Sequence, residues 1–301
     1  DNVFFGNSGA EANEAAIKIA RKHAFNQDID NPQIITLEGS FHGRTMATLS
    51  ATGNPKVKAG FAPLVSGFVN VPANDFAAIE TYIKQPDTVA VLLEVTQGEG
   101  GVNLMSADYL QAVAAACAQH STLLILDEIQ TGNGRTGSYF AYQQCGVLPD
   151  VVTTAKGLGN GFPIGACLTR GMASSLLEPG NHGSTFGGNP LACATALTVV
   201  NTIINEKLSH NAASMGTYLL EQFKQQLSAC QKVVDIRGHG LMIGIELDEP
   251  CGDLVKDALA AGLLINVTAG NTVRLLPPLI ITQAQADELV ALLCPLIKQF
   301  G

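Results

Sequence analysis

The middle of the chain holds two short apolar segments that each end in a charged residue. Residues 122–126 are apolar after an initial threonine and end at Asp127, and residues 151–155 repeat the pattern and end at Lys156. A short apolar run without alternation is typical of a parallel strand that is covered on both faces. Because α/β proteins bind ligands at the carboxyl ends of parallel strands, Asp127 and Lys156 are candidate site residues.

Strands and helices alternate through the first two thirds of the chain. Apolar runs predict further strands at 34–37, 89–93 and 163–169, and helical spacing predicts helices at 107–120 and 190–205. This alternation is typical of an α/β fold with a mostly parallel central sheet.

The pattern changes after residue 205. Helices are predicted at 211–229, 252–261 and 283–299, with two strands flanking a glycine turn at 238–240. We therefore predict a large domain over residues 1–205 and a smaller α+β domain over residues 206–301.

Composition favours small molecules as partners. The 47% hydrophobic content is ample for a sizeable core, and a net charge of −9 with only 17 Lys and Arg argues against a nucleic-acid surface. The longest apolar runs are too short to span a membrane, and no signal peptide opens the chain. We expect neither nucleic acid nor a membrane as a partner.

The seven cysteines are an odd number, lie far apart and form no C-x-x-C pair. Most have apolar neighbours, as Cys117 and Cys193 do. This usage is typical of buried free thiols in a reducing compartment, so we expect a cytoplasmic protein without a metal site.

Glycine-rich segments follow both charged residues, at 127–137 and at 156–163. Glycines there permit close approach of the backbone to a ligand. A single charged residue at a strand end can also simply mark the return of the chain to water. A P-loop ATPase also carries an apolar strand that ends in Asp, but residues 1–126 contain no G-x-x-x-x-G-K-[ST] loop, which leaves that class a minor alternative.

An acid and an amine at neighbouring strand ends suit pyridoxal-phosphate chemistry, in which a Lys binds the cofactor and a carboxylate holds its pyridine nitrogen protonated. From Phe4 to about Pro278 the chain resembles the class III, fold-type I aminotransferases, closest to their acetylornithine branch. Members carry a segment ahead of Asp1, so we expect that this chain lacks one. The resemblance implies pyridoxal 5′-phosphate as cofactor, and ping-pong transfer of an amino group from N-acetylornithine to 2-oxoglutarate through Lys156.

The first helix begins with a possible capping box, Ser8 and Glu11, at a turn that suits either an ordinary cap or a phosphate site. The resemblance assigns the cofactor phosphate to this turn and stacks Phe41 on the pyridine ring. His42 has a weaker claim as a neighbour of the ring. The full set of residues that the resemblance implies for the cofactor is Ser8, Gly9, Ala10, Phe41, Asp127, Glu128, Ile129, Gln130, Lys156 and Thr185.

The resemblance also implies a substrate site. Arg44 holds the α-carboxylate, Arg274 is a second carboxylate-binding arginine, and Ser184 lies near the substrate. Glu99 pairs with an active-site arginine and releases it when the second substrate arrives. Succinylornithine, succinyldiaminopimelate, ornithine and 4-aminobutyrate are alternative donors.

The segment 181–190 is expected to cross the interface of a homodimer, so that Thr185 contacts the phosphate held by the neighbouring subunit. A catalytically inactive relative that serves as a binding protein is the alternative from another functional class.

Overall fold

The computed structural model describes residues 1–301. The strands are β1 (Asn2–Gly6), β2 (Gln33–Leu37), β3 (Phe68–Val71), β4 (Thr88–Leu93), β5 (Thr96–Gln97), β6 (Asn103–Leu104), β7 (Leu123–Asp127), β8 (Val151–Thr154), β9 (Gly165–Thr169), β10 (Val233–His239), β11 (Met242–Leu247), β12 (Asn266–Thr268) and β13 (Thr272–Leu275). The helices are α1 (Gly9–Phe25), α2 (Met46–Ala51), α3 (Pro55–Lys58), α4 (Phe76–Ile83), α5 (Ala107–Gln119), α6 (Pro190–Asn205), α7 (Leu208–Gln226), α8 (Leu254–Ala260) and α9 (Gln283–Gln299). Short 3₁₀ turns occupy Ala141–Cys145, Lys156–Leu158 and Gly171–Ser175.

The chain divides into two compact units. The first comprises residues 1–95, 105–133 and 141–201, and the second comprises residues 96–104, 134–140 and 202–301. The change from one unit to the other therefore falls within α6, close to the predicted boundary at 205. Two short segments, 96–104 and 134–140, belong to the second unit although the sequence places them inside the first.

The first unit is built on a seven-stranded sheet in the order β1-β9-β8-β7-β4-β2-β3. The pairs from β8 to β3 are parallel, whereas β9 runs antiparallel to both of its neighbours. The predicted mostly parallel sheet is confirmed.

Successive residues of the central strands enter opposite cores, because side chains alternate across a strand. Ile125 and Leu92 pack against α1, and Leu126 and Leu93 pack on the other face against α4 and α5. Covering on both faces explains why these strands are continuous apolar runs.

The second unit has a four-stranded antiparallel sheet in the order β10-β11-β13-β12. Leu219 and Phe223 of α7 pack with Ile243 and Ile245 of β11 and with Leu293 of α9 in one core. The α+β class predicted for the C-terminal part is confirmed. No helix in either unit is both long and apolar enough to cross a membrane.

Candidate active site

The strand ends of the first unit bring several predicted site residues to one edge of the sheet. Asp127 pairs with Thr153, Thr154 pairs with Ala166, and Gly6 pairs with Gly165. The ends of β7, β8 and β1 therefore lie at one edge of the sheet, with the start of β9 between β8 and β1. Asp127 ends β7, Lys156 follows β8, and α1 follows β1. This is the edge where an α/β sheet binds its ligand.

Asp127 is 4% exposed and is surrounded by hydrogen-bond donors. Its Oδ2 accepts from Asn13 Nδ2 at 2.7 Å and from His42 Nδ1 at 2.8 Å, and its Oδ1 accepts from the Ile129 N–H at 3.1 Å. Three donors and no acceptor converge on the carboxylate, which suits it to receive one more N–H. The Nε2 atom of His42 is buried without a partner.

Asn13 orients this cluster from within α1, where it is completely buried. Its Nδ2 also donates to the His42 carbonyl at 2.7 Å, and its Oδ1 accepts from Thr153 Oγ1 at 2.7 Å. The sequence analysis missed this residue. The signal was a polar side chain on the apolar face of a helix, since Asn13 precedes the buried Ala16 and Ile17 by three and four positions.

Glu94 directly follows β4 and was missed as well. Its Oε2 accepts from the Phe41 N–H at 3.0 Å, so it holds the segment that carries the Phe41 ring. Burial raises the pKa of the Glu94 carboxyl to about 7, with the electrostatic effect of His42 lowering it and the charge of Asp127 raising it further. The carboxyl can therefore gain or lose its proton near neutral pH.

Glu128 has a different environment from its neighbour Asp127. Its carboxylate accepts from Thr131 Oγ1 at 2.5 Å and from the N–H groups of Ala141 and Tyr142 at 3.1 and 2.9 Å. Burial raises the pKa of this carboxyl also. All three bonds lie within segment 128–142, so the side chain orders the chain beyond β7, while the sequence predicted a cofactor contact.

Lys156 has an exposed side chain and begins a 3₁₀ turn with a φ of +41°. A positive φ is unfavourable for a non-glycine residue, and such conformations concentrate at functional sites. The backbone just before it is secured by Asn133, whose Nδ2 donates to Thr154 Oγ1 at 2.9 Å and to the Ala155 carbonyl at 3.2 Å.

The turn at Ser8 presents the start of α1. Ser8 Oγ accepts from the Glu11 N–H at 3.2 Å, which is one half of the predicted capping box. The other half differs, because the Glu11 carboxylate bonds to the N–H and side-chain amide of Asn7. Gly9 packs against Ile129, whose side chain would lie 2.8 Å from a Cβ at position 9. A helix start with free N–H groups suits a phosphate.

Ser184 also lies at this turn, with its Oγ accepting from Asn7 Nδ2 at 3.1 Å. Its neighbour Thr185 is exposed, and so is Phe186 at 72%. Ser184 is thus close to the start of α1, whereas Thr185 is exposed at the surface of the chain.

Arg44 is exposed and makes no ion pair within the chain. Its guanidinium carbon lies 5.9 Å from the centroid of the Phe41 ring. Gln130 is half-buried, three residues beyond Asp127. These positions leave the guanidinium available to a ligand.

In the second unit, Arg274 is buried and its Nη1 lies 2.8 Å from Glu99 Oε1. The side chain of Glu99 is 39% exposed. Arg274 and Asn266 also line a cavity of about 600 Å³ whose other walls are mostly apolar. Glu99, which the resemblance pairs with an active-site arginine, is therefore in direct contact with Arg274.

The model of the class III aminotransferase family matches residues 1–297. Among curated proteins, the acetylornithine aminotransferase of Nitrosomonas europaea is 54% identical over 301 residues, which are 100% of this chain and 77% of that protein. The acetylornithine aminotransferase of Bacillus subtilis is 47% identical and is matched over 97% of this chain and 74% of its own.

Solved structures of aminotransferases superimpose closely on this chain. The ornithine aminotransferase of Toxoplasma gondii superimposes with a TM-score of 0.95 at 36% identity over 99% of this chain and 72% of that chain. In a second structure of that enzyme, PLP partly occupies the active site. The omega-transaminase of Thermomicrobium roseum gives a TM-score of 0.94 at 33% identity over 99% and 75% of the two chains.

Proposed function

Because this chain belongs to the class III aminotransferases, we propose that it transfers an amino group from N-acetylornithine to 2-oxoglutarate, a step of arginine biosynthesis. The observation that carries the choice of donor is identity of 45–54% to acetylornithine aminotransferases along almost the whole chain. The Gly-Glu-Gly-Gly sequence at 98–101 favours the same branch.

The chain is a PLP-dependent enzyme, as its family is. The residues present fit the cofactor. A carboxylate with three donors suits a protonated pyridine nitrogen, the helix start at Ser8 suits a phosphate, and an exposed amine suits a covalent bond to an aldehyde. When bound, PLP would supply an electron sink for the donor carbon that bears the transferred amino group.

Lys156 has two roles in this proposal. Its amine would hold the cofactor covalently, and as a free amine it would accept the proton that leaves the donor carbon bearing the transferred amino group. Asp127 receives the pyridine N–H, and Asn13 and His42 keep its carboxylate in place.

The remaining cofactor contacts divide between the phosphate and the ring. Ser8, Gly9 and Ala10 offer the helix start to the phosphate, and Phe41 offers its face to the ring. Gln130 would hydrogen-bond near the phenolic oxygen of the cofactor. Ile129 and Glu128 support the turn beyond Asp127.

Two arginines bind carboxylates. Arg44 takes the α-carboxylate with its unpaired guanidinium, and Arg274 takes the second carboxylate of 2-oxoglutarate. While the donor is bound, Glu99 neutralises Arg274 through the 2.8 Å ion pair, and it turns away when the dicarboxylate arrives. Ser184 lies on the substrate side of the turn at Ser8.

The chain acts as a homodimer in this proposal. The exposed Thr185 reaches the phosphate of the neighbouring subunit, and the exposed side chains Phe186, Leu191 and Leu197 offer apolar area to a second copy. All seven cysteines are free thiols, which supports a reducing location such as the cytoplasm.

The experiment that tests the donor is a comparison of kcat/KM across N-acetylornithine, succinylornithine, succinyldiaminopimelate, ornithine and 4-aminobutyrate, with 2-oxoglutarate as acceptor. Highest efficiency with N-acetylornithine supports the proposal, and highest efficiency with another donor replaces the substrate. Ornithine is the second candidate, because the similar T. gondii structures are ornithine aminotransferases. Turnover with any of them excludes a catalytically inactive relative. The family match leaves the ATPase alternative without support.

A further inference from the structure

Glu99 lies in the loop of a small hairpin whose backbone is unusual. Strands β5 and β6 pair through Thr96 with Leu104 and Gln97 with Asn103, so that residues 98–102 form the loop. Val102 in this loop is fully buried and has a φ of +56°. This conformation is rare for a β-branched residue and persists only where the surroundings impose it.

Arg237 of β10 supplies much of that constraint. Its Nε donates to the carbonyls of Gly101 and Val102 at 3.1 and 3.0 Å, and its Nη2 donates to Gly101 at 2.6 Å. Its Nη1 is held by Asp235 at 2.9 Å and by Glu246 at 2.6 Å. The planar guanidinium thus joins two consecutive carbonyls to two carboxylates.

The strand register explains how the loop meets this arginine. Arg237 pairs with Gly244 across β10 and β11, and Gly244 pairs with Arg274 across β11 and β13. Directly paired residues point to the same face of a sheet, so the two arginines lie on either side of a glycine. Val102 lies over that glycine, since a Cβ at position 244 would be 2.9 Å from the Val102 Cβ. The loop therefore runs from Arg237 to Arg274.

Two further carbonyls of the loop, those of Glu99 and Gly100, also accept hydrogen bonds. Thr268 Oγ1 donates to the Glu99 carbonyl, and Asn103 Nδ2 donates to the Gly100 carbonyl at 2.8 Å. The loop backbone is held at four successive carbonyls, whereas the side chain of Glu99 is 39% exposed. The Glu99 side chain can therefore change its rotamer while the loop backbone stays fixed.

We propose that Arg237 is a positioning residue that fixes the Glu99 loop, so that Glu99 exchanges with a substrate carboxylate at Arg274 by side-chain rotation alone. By strengthening the competing Glu99–Arg274 pair, Arg237 limits the preference of the enzyme for a dicarboxylate acceptor over a small one. The inference rests on the proposed pairing of Arg274 with the second carboxylate.

The test compares kcat/KM for 2-oxoglutarate with kcat/KM for pyruvate, which lacks the second carboxylate. Glu99→Gln frees Arg274 and is expected to raise this ratio by about 10-fold. Arg237→Met is expected to raise the ratio by about 3-fold, because a mobile loop holds Glu99 less firmly against Arg274. In the double variant the ratio should equal that of Glu99→Gln alone. A ratio unchanged in Arg237→Met, or a double variant equal to the product of the singles, overturns the proposal.

Two further variants keep the test decisive if Arg237→Met folds poorly. Arg237→Lys retains a cation for Asp235 and Glu246 but loses the planar guanidinium that donates to the Gly101 and Val102 carbonyls. Gly244→Ala adds a methyl group that displaces Val102. Both are expected to raise the ratio, and an unchanged ratio in both contradicts the proposal. Arg170→Met is the matched control, since this exposed arginine donates to a carbonyl of the first unit, and it should leave the ratio unchanged.

Hydrogen–deuterium exchange of residues 98–102 gives a readout that does not require turnover. Exchange should be faster in Arg237→Met than in the unchanged protein, and equal protection overturns the proposal. The same donor is used with both acceptors, so the ratio is meaningful whichever donor the enzyme prefers. Failure of the donor assignment is therefore distinguishable from failure of this inference.

Discussion

The side-chain amide of Asn13 lies 2.7 Å from Oδ2 of Asp127 and links the first helix of the chain to the end of a central strand. The same amide binds the His42 carbonyl and Thr153 Oγ1. One fully buried residue therefore aligns the three elements that surround the candidate cofactor carboxylate.

Replacing Asn13 with leucine should lower both stability and cofactor affinity. The change removes a hydrogen bond from each of three buried polar groups, the His42 carbonyl, the Asp127 carboxylate and the Thr153 hydroxyl, which costs on the order of 2–4 kcal/mol of unfolding free energy. Urea denaturation measures the first effect, and titration with pyridoxal phosphate measures the second. Asn211→Leu is the control, because Asn211 bonds to the carbonyls of Leu279 and Ile281 in the second unit and should affect stability alone. Unchanged cofactor affinity in Asn13→Leu would contradict the role given to Asn13.

Replacing Lys156 with alanine should abolish turnover while the far-UV circular dichroism remains unchanged. Borohydride reduction followed by mass spectrometry should place the cofactor on Lys156 in the unchanged enzyme. Lys207→Ala is a close control, since Lys207 is also an exposed lysine with a positive φ, of +53°. Substantial transaminase activity in Lys156→Ala, or a cofactor trapped on another lysine, would refute the assignment.

The raised pKa of Glu94 predicts a pH-dependent stability. The folded state holds the proton up to about pH 7, against an ordinary pKa of 4.5, so this contribution is complete below the unfolded pKa and disappears as pH rises through the folded pKa. Glu94→Gln carries no such proton and should be more stable than the unchanged protein above neutral pH, by about 3 kcal/mol.

The measurement for Glu94 is urea denaturation at a series of pH values. The two proteins should be equally stable below about pH 4.5, should diverge between pH 4.5 and about 7, and should differ by a constant amount above that. Glu80→Gln, which alters an exposed pair with Lys84, should show no divergence. Parallel curves for Glu94→Gln and the unchanged protein would show that Glu94 is ionised throughout.

The proposed sharing of Thr185 between subunits predicts complementation. Mixing Lys156→Ala with Thr185→Ala gives mixed dimers in which one site has both residues intact. About half of randomly assembled dimers are mixed and each has one intact site of two, so about a quarter of full activity should return. Activity no higher than the mean of the two separate variants would show that Thr185 acts in its own subunit or that no dimer forms.

The sequence predicts the central strands well because burial on both faces leaves a continuous apolar run that local periodicity detects. The positions of Asp127 and Lys156 at the carboxyl ends of these strands could be predicted for the same reason. The reversed direction of β9 could not, because its pairing with β1 joins residues more than 150 positions apart.

The supporting groups of the site depend on such distant contacts. Asn13 and Glu94 act through bonds to Asp127 and Phe41, and nothing in their neighbouring residues indicates those partners. Glu128 illustrates the reverse case, since the resemblance implies a cofactor contact for it, whereas its carboxylate accepts from the backbone N–H groups of residues 141 and 142. Chain order assigns the segment 96–104 to the large domain. In the structure it belongs to the second unit, because it contacts Arg237 and Arg274.

The most direct test of the central claim is a visible absorption spectrum of the purified protein with bound pyridoxal phosphate, before and after N-acetylornithine is added without any oxo acid. The account predicts a yellow absorption band that bleaches on addition and returns when 2-oxoglutarate is supplied. A band that persists with N-acetylornithine and bleaches with another donor would contradict the proposed substrate. No band after incubation with pyridoxal phosphate would contradict the site itself.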